Sequence, residues 1–270
     1  MQIPTYRLKS GYEMPILGLG TWRLDGEECT TAVSTARELG YTHIDTADMY
    51  GNHVEVGKAL AGLDRSALFV TSKVGPDDLR HDDLIATCER NLEELGLDYL
   101  DMYLLHWPNP DIPMEETFEA LGELHGDGKV RSIGVSNFII NRLAQAIEIS
   151  ELPICTNQVE FHPLLYQEEL LRFCEANDIV VTAYCPLGRT EALDNEVVKS
   201  VAAEHGKTPA QVCLRWLFQK GIIVIPKSRS AERMRENMEI FDWELSAEAE
   251  QRIDAIPEQK RVVRLPIAEF

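Results

Sequence analysis

A closed (β/α)8 barrel is the fold class that this 270-residue sequence predicts, and three observations predict it. Eight short apolar, β-rich runs recur along the chain with amphipathic stretches between them, which implies parallel strands joined by right-handed crossovers. Polar residues close several of those runs: Asp45, Lys73, His106, Asn137 and Gln158. A barrel gathers such strand ends at one mouth, whereas an open sheet of eight strands spreads them too far apart to cooperate. No GxGxxG follows the first strand, so the fingerprint of an open dinucleotide-binding sheet is missing. Residues 1–270 read as one barrel domain, without a linker, a low-complexity tract or a second domain, at a length where α/β barrels are common.

The elements follow in order. "YRLKSGYEMP" reads as a β-hairpin with Ser-Gly at its turn, placed to close the barrel bottom. The strands are "ILGLGTW" (16–22), "THIDT" (42–46), "LFVTSK" (68–73), "MYLLH" (102–106), "SIGVSN" (132–137), "CTNQVE" (155–160), "IVVTAY" (179–184) and "IIVIP" (222–226). Between them lie helical patterns such as "GEECTTAVSTAREL", "DDLIATCERNLEEL" and "EETFEALGELHGDG". The second sets Leu84, Cys88, Leu92 and Leu95 on one helical face. Its acidic start suits the positive end of a helix, and Gly40, Gly96 and Gly128 are helix stops. The run "DDLRHDD" reads as a solvated helix start.

Composition narrows the function classes. Hydrophobic residues make up 44% and charged residues 26%, the balance of a globular chain with a sizeable core. No apolar run approaches 18 residues, so no transmembrane helix is expected. The N-terminus lacks a basic region followed by an apolar one, so the cytoplasm is the expected location. The net charge of −19 and a pI near 4.8 oppose binding to nucleic acid or an anionic membrane. That charge is also a candidate device for dispersion in a salty cytoplasm, a halophilic trait. Six cysteines are scattered without a CxxC pair, which fits free, mostly buried thiols.

The strand ends carry coherent chemistry. Tyr50 follows Asp45 by five residues, Lys73 ends the third strand, and His106 ends the fourth. A phenol near 10 is a weak proton donor at neutral pH, and an adjacent ammonium favours its ionised form. Bringing the phenol down to 7–8 needs roughly 3–4 kcal/mol. A lysine about 4 Å away supplies that order at an effective dielectric near 20. The lysine needs a partner, and Asp45 is the obvious one. Asp45, Tyr50, Lys73 and His106 therefore make a general-acid assembly.

At these residues the chain resembles the aldo-keto reductase family, over nearly its whole length. The matching pieces are "GLGTW", "HIDTADMYGN", "TSK", "LLHWP", "IGVSNF", "NQVEFHP", "PLG" and "IPKSRSAERMRENM", all in the family's order. The resemblance implies that Asp45, Tyr50, Lys73 and His106 are the catalytic tetrad. It implies reduction of aldehydes or ketones to alcohols by hydride transfer from nicotinamide, with Tyr50 as the acid. It places Gly20, Thr21, Ser136, Asn137 and Gln158 at the dinucleotide, Tyr184 beneath the nicotinamide ring, and Leu187 and Arg189 of "PLGR" along the pyrophosphate. Cys185 stands where serine or glycine is common, so no side-chain role is carried over there. Lys227, Ser228 and Arg233 resemble the clamp on the adenosine 2′-phosphate, with Glu236 and Asn237 at the adenine. Lys227, Arg229, Arg233 and Arg235 form a cationic cluster that stands out in so acidic a chain. NADPH is the implied cofactor, with NADH a weaker alternative. Trp22 and Trp107, with His106 and Tyr50, are implied walls of the carbonyl pocket.

The short gap between "PLGR" and "GKTPAQV" and the brief tail are most like the compact prokaryotic members, the group that includes 2,5-diketo-D-gluconic acid reductases. The family default is a monomer acting on a small-molecule carbonyl. A short tail implies an open pocket, and Arg261 and Arg264 on it are candidates for attracting carboxylated carbonyls.

Competing readings remain at this level. His43, Asp45, His53, His106 and His162 are the residues a metal-dependent barrel hydrolase would use, but neither an HxH nor an HExxH pattern appears, and no metal is expected. His162 is expected to pack or hydrogen-bond near the barrel, and Asp48 to be a loop residue. A non-catalytic, nucleotide-sensing subunit on the same barrel is the rival from outside enzymology.

Overall fold

The computed structural model describes residues 3–264. An antiparallel hairpin, β1 (Thr5–Arg7) and β2 (Glu13–Pro15), opens the chain. Its turn is held by Leu8 N–H to Tyr12 O and Gly11 N–H to Leu8 O, both 2.8 Å, with Gly11 at φ +89°.

Eight parallel strands follow in sequential order: β3 (Gly18–Gly20), β4 (His43–Asp45), β5 (Phe69–Val74), β6 (Met102–Leu105), β7 (Ile133–Ser136), β8 (Ile154–Glu160), β9 (Val180–Tyr184) and β10 (Ile223–Val224). Every strand expected from the apolar runs is present, mostly trimmed at the ends. The sheet closes on itself where Val224 N–H donates to Ile16 O at 2.8 Å and Leu17 pairs parallel with Val224. Gly20 serves this closure: a Cβ there would stand 2.6 Å from Ile225 O, which backbone cannot yield to. Gly18 is required by His43, whose ring would lie 2.5 Å from an added Cβ.

Helices α1 (Gly26–Leu39), α2 (His53–Leu60), α3 (His81–Leu95), α4 (Met114–Gly126), α5 (Ile140–Ile149) and α6 (Glu168–Ala176) each connect one strand to the next. Two helices, α7 (Glu196–His205) and α8 (Pro209–Gln219), lie between β9 and β10, and α9 (Ala231–Met238) and α10 (Ala247–Asp254) follow. Local sequence accounts for their ends. Gly40 and Gly96 adopt the left-handed conformation just past α1 and α3, as their positions predict. The helix around "EETFEALGELHGDG" stops at Gly126, two residues before Gly128. Thr208 and Gln211 close a capping box on α8, with Pro209 in the first turn.

The main core fills the space between strands and helices. A smaller cluster joins Leu8 and Met14 of the hairpin to Phe69, Met102, Cys155, Val180 and Ile223 at or near the N-terminal ends of their strands. The hairpin thus plugs the barrel bottom, and the mouth at the strands' C-terminal ends is left for chemistry. All six cysteines are free, five of them buried and Cys185 half-buried. No helix among the described residues is long and apolar enough to cross a membrane.

Candidate active site

The stretch from Asp45 to Asn52 is built as a ledge on the barrel mouth. β4 ends at Asp45, and a short 3-10 turn (Asp48–Tyr50) is ended by Gly51 in the left-handed conformation at φ +64°. Asn52 holds the ledge. Its Oδ1 accepts from Thr46 Oγ1 at 2.8 Å, and its Nδ2 donates to Thr21 O at 3.0 Å and Leu24 O at 2.9 Å. Two strand-end loops, after β3 and β4, are thereby locked together two residues beyond Tyr50. Asn52 had no role in the sequence reading, since an asparagine after glycine looks like any turn residue. Asp48 is a loop residue, paired with Arg90 at 2.9 Å.

Asp45, Tyr50, Lys73 and His106 come together from three strands. Lys73 is wholly buried, its Nζ 2.6 Å from Asp45 Oδ1, 2.7 Å from Thr46 O and 3.4 Å from the Tyr50 hydroxyl. Burial pushes the ammonium down, and Asp45 opposes that by attraction and a hydrogen bond. The ring of His106 meets Tyr50 edge to face, centroids 5.6 Å apart and planes at 76°. Burial, then the nearby Lys73 charge, hold His106 well below 6.5, so its imidazole is neutral at physiological pH.

One expectation is corrected here. The lysine was expected to lower the Tyr50 phenol, but the phenol lies well above 10, raised first by burial and then by the negative charge of Asp45. The hydroxyl end of this half-buried ring sits against buried Lys73 and Asp45, and desolvation there outweighs the cation. Tyr50 is thus a protonated phenol at neutral pH.

A second group flanks the first. Gln158, at the inner end of β8, donates from Nε2 to Asp45 Oδ2 at 2.8 Å. Ser136 Oγ donates to Gln158 O at 2.8 Å. Asn137, left-handed at φ +63°, donates to His106 O at 2.9 Å and accepts from the Tyr184 hydroxyl at 2.7 Å. Asparagine suits that corner because it tolerates positive φ better than most residues. Thr21 donates from Oγ1 to Asp45 O at 2.9 Å. The predicted dinucleotide residues of β3, β7, β8 and β9 therefore share one network with the tetrad.

Trp22 and Trp107 behave differently. Trp107 is buried, while Trp22 is half-exposed and has two guanidiniums over its ring, those of Arg23 and Arg189, with carbons 4.4 and 4.8 Å from the centroid. The loop bearing Leu187 and Arg189 is wound through left-handed residues, with Cys185 at φ +48°, Arg189 at +51° and Thr190 at +79°.

Beyond β10, Ser230 caps α9 by accepting from Arg233 N–H at 3.3 Å, and Ser230 N–H donates to Ser228 Oγ at 3.1 Å. Lys227 is lowered by partial burial and then by the positive charge of Arg229. Arg229 pairs with Glu28 at 3.1 Å. Arg229 and Arg23 lower Lys227 further and Glu28 opposes them, so several cations crowd this corner, as a phosphate group would require. Asn237 is buried, and Glu236 meets the Thr208 hydroxyl.

The histidines of the metal reading are dispersed. His43 lies inside the barrel against Thr71 at 3.2 Å, His53 contacts Ser72 at 2.9 Å, and His162 contacts Glu160 at 3.0 Å. Among the described residues, no group of His, Cys, Asp and Glu side chains is arranged to hold a metal ion. Glu160 itself was missed by sequence reasoning, although its place two residues beyond Gln158 on an inward-facing register was a usable signal.

A (β/α)8 barrel with an Asp–Lys–Tyr–His group at its C-terminal mouth, its lysine and aspartate buried, defines a class: barrel proteins with an acid–base centre at the strand ends. The sequence profile of the Aldo/keto reductase family matches residues 16–258, and the chain belongs to that family. It is 44% identical over 261 residues to a glyoxal reductase of Bacillus subtilis (strain 168), covering 96% of this chain and 94% of that one. Among solved structures it is similar to a candidate 2,5-diketo-D-gluconic acid reductase B (TM-score 0.93, 37% identity, 99% of this chain and 96% of the other). A Bombyx mori aldo-keto reductase in complex with NADP is similar at TM-score 0.92 and 33% identity, covering 98% and 96%.

Proposed function

We propose that this chain reduces aldehydes or ketones to alcohols with NADPH, Tyr50 acting as the general acid. The observation that carries the reading is the buried Lys73, 2.6 Å from Asp45 and 3.4 Å from the Tyr50 hydroxyl. A buried ammonium fastened to a carboxylate and aimed at a phenol is costly to maintain and has no evident packing purpose. Likeness to a glyoxal reductase and to a protein solved with NADP supports the cofactor and makes small dicarbonyls the first substrates to try.

The roles divide as follows. Ser136, Asn137 and Gln158 would hold the nicotinamide carboxamide and Tyr184 its ring, with Gly20, Thr21, Leu187 and Arg189 along the pyrophosphate. Lys227, Ser228 and Arg233 would meet the 2′-phosphate, and Glu236 and Asn237 the adenine. A nicotinamide held by these residues would supply the hydride for the carbonyl carbon. Tyr50 donates a hydrogen bond, then its proton, to the carbonyl oxygen, and the neutral His106 orients that oxygen from the other side. Lys73 stabilises the phenolate left behind, and Asp45 keeps Lys73 charged. Trp22 and Trp107 would wall the substrate. The reading extends to a cytoplasmic monomer that uses NADH less well, and to an acidic surface adapted to salt, for which activity should rise between low and molar salt.

The test is NADPH oxidation, followed by absorbance, with glyoxal and a simple aldehyde, with and without a chelator. Tyr50→Phe is expected to lose most turnover while keeping NADPH affinity. Near-normal kcat in that variant would overturn the assignment, turnover abolished by chelator would favour a metal-dependent enzyme, and binding without oxidation would favour a nucleotide sensor.

A further inference from the structure

Glu160 is the last residue of β8, and its side chain faces inward. Alternation sets Thr156, Gln158 and Glu160 on one face of the strand. That face is the barrel interior, because Thr156 Oγ1 meets Thr182 Oγ1 at 2.8 Å and Gln158 reaches Asp45. Its register partner on β9 is Tyr184. An inward residue at the C-terminal end of a barrel strand ordinarily faces the site.

Glu160 is nevertheless fully buried, because the chain beyond α10 returns over it. Its Oε1 accepts from Val262 N–H at 2.6 Å and its Oε2 from Val263 N–H at 2.8 Å, with His162 Nε2 3.0 Å from Oε1. Gln167 donates to Glu160 O at 2.7 Å, and Arg261 donates to Gln167 Oε1 at 3.4 Å. Lys260 N–H donates to Leu164 O at 2.6 Å, and its ammonium pairs with Glu191. Residues 260–263 have no regular secondary structure. Side-chain and backbone contacts from the β8 rim therefore fasten this segment at the strand end whose register partner is Tyr184.

We propose that Glu160 is a positioning residue for the carbonyl reduction put forward above. By gripping two successive backbone amides it holds residues 260–263 over one side of the mouth and so forms the wall against which the carbonyl substrate binds. Among the described residues its carboxylate hydrogen-bonds to Val262, Val263 and His162, none of which is assigned to the dinucleotide or to the tetrad. A carboxylate accepts from both amides at once, whereas the near-isosteric carboxamide has a single acceptor oxygen and turns an N–H2 toward the second donor. Glu160→Gln therefore releases the segment with almost no change in packed volume.

The experiment is steady-state kinetics with NADPH and whichever aldehyde the parent chain reduces best, on full-length Glu160→Gln, Val262→Pro and the double variant. Proline at 262 removes one of the gripped N–H groups in an irregular segment. Each single variant is expected to raise the aldehyde KM by about 5- to 20-fold with kcat within about twofold, the pattern of lost substrate binding. NADPH affinity is expected to be unchanged, and the double variant no worse than the poorer single one, since both release the same two-amide grip. Unchanged KM in either single variant, NADPH binding weakened alongside KM, or fully additive effects would each overturn the role. A parent chain that shows no NADPH-dependent reduction overturns the proposed function instead, so the two failures are distinct. Should Glu160→Gln fail to fold, Val262→Pro alone decides.

Discussion

Gln158 and Asp45 meet across the barrel, Nε2 to Oδ2 at 2.8 Å, from strands on opposite sides of the closed sheet. With Lys73 on Oδ1 at 2.6 Å, both oxygens of the buried carboxylate are held and its plane cannot turn. Gln158→Leu leaves a buried anionic acceptor short of a donor, at a cost of about 1–3 kcal/mol. We expect a lower melting temperature and a kcat reduced about tenfold. Unchanged values of both would show that the contact is incidental.

Lys73 offers a sharper separation of stability from chemistry. Lys73→Met strands the Asp45 charge in the interior and is expected to destabilise by about 3–5 kcal/mol. Adding Asp45→Leu removes the stranded charge and should recover much of that stability. Activity should not return in the double variant, because no cation remains beside Tyr50. Paired thermal melts and NADPH oxidation assays read the two effects; recovered turnover would contradict the role of Lys73.

Acid sensitivity follows from the buried histidines. Burial pushes His43 and His53 down to about 4, and His106 well below 6.5. The unfolded chain binds protons near pH 6.5 while the folded chain resists them, so stability is complete above that pH and falls as pH drops toward 4. His43 and His53 each contribute up to about 3 kcal/mol across that window. Unfolding at pH 5 is expected to take up about two to three protons, measurable as the slope of stability against pH. A flat profile from pH 7 to 5 would refute the neutral, buried state of these rings.

Trp22 links its own loop to the loop after β9, with the Arg23 and Arg189 guanidiniums both over its ring. Arg189 lies on the left-handed loop that the family resemblance would set along the pyrophosphate. Trp22→Ala removes the platform and is expected to weaken NADPH binding about threefold to thirtyfold, given contacts of about 0.5–2 kcal/mol. Fluorescence titration with NADPH reads this directly, and unchanged affinity would restrict Trp22 to the substrate side.

Much of this was legible before any coordinates. The strands, the hairpin plug and the meeting of Asp45, Tyr50, Lys73 and His106 all follow from apolar periodicity and from polar residues at strand ends. The acidity of Tyr50 was not legible. The sequence announces a lysine nearby but cannot say how much water is excluded, and burial reversed the direction. Asn52 was passed over because its three partners come from two loops that only the closed barrel brings together.

The Glu160 grip shows the same division. Its inward register was determined by the sequence, since alternation along a strand is a local rule. That its carboxylate meets amides about a hundred residues later depends on how the last turn of chain crosses the rim. Local patterning determined which residues point into this barrel, because side-chain direction is set by the backbone period. Tertiary structure alone decided what each meets there, and with it which charges are desolvated, because distance and burial arise only once the sheet has closed.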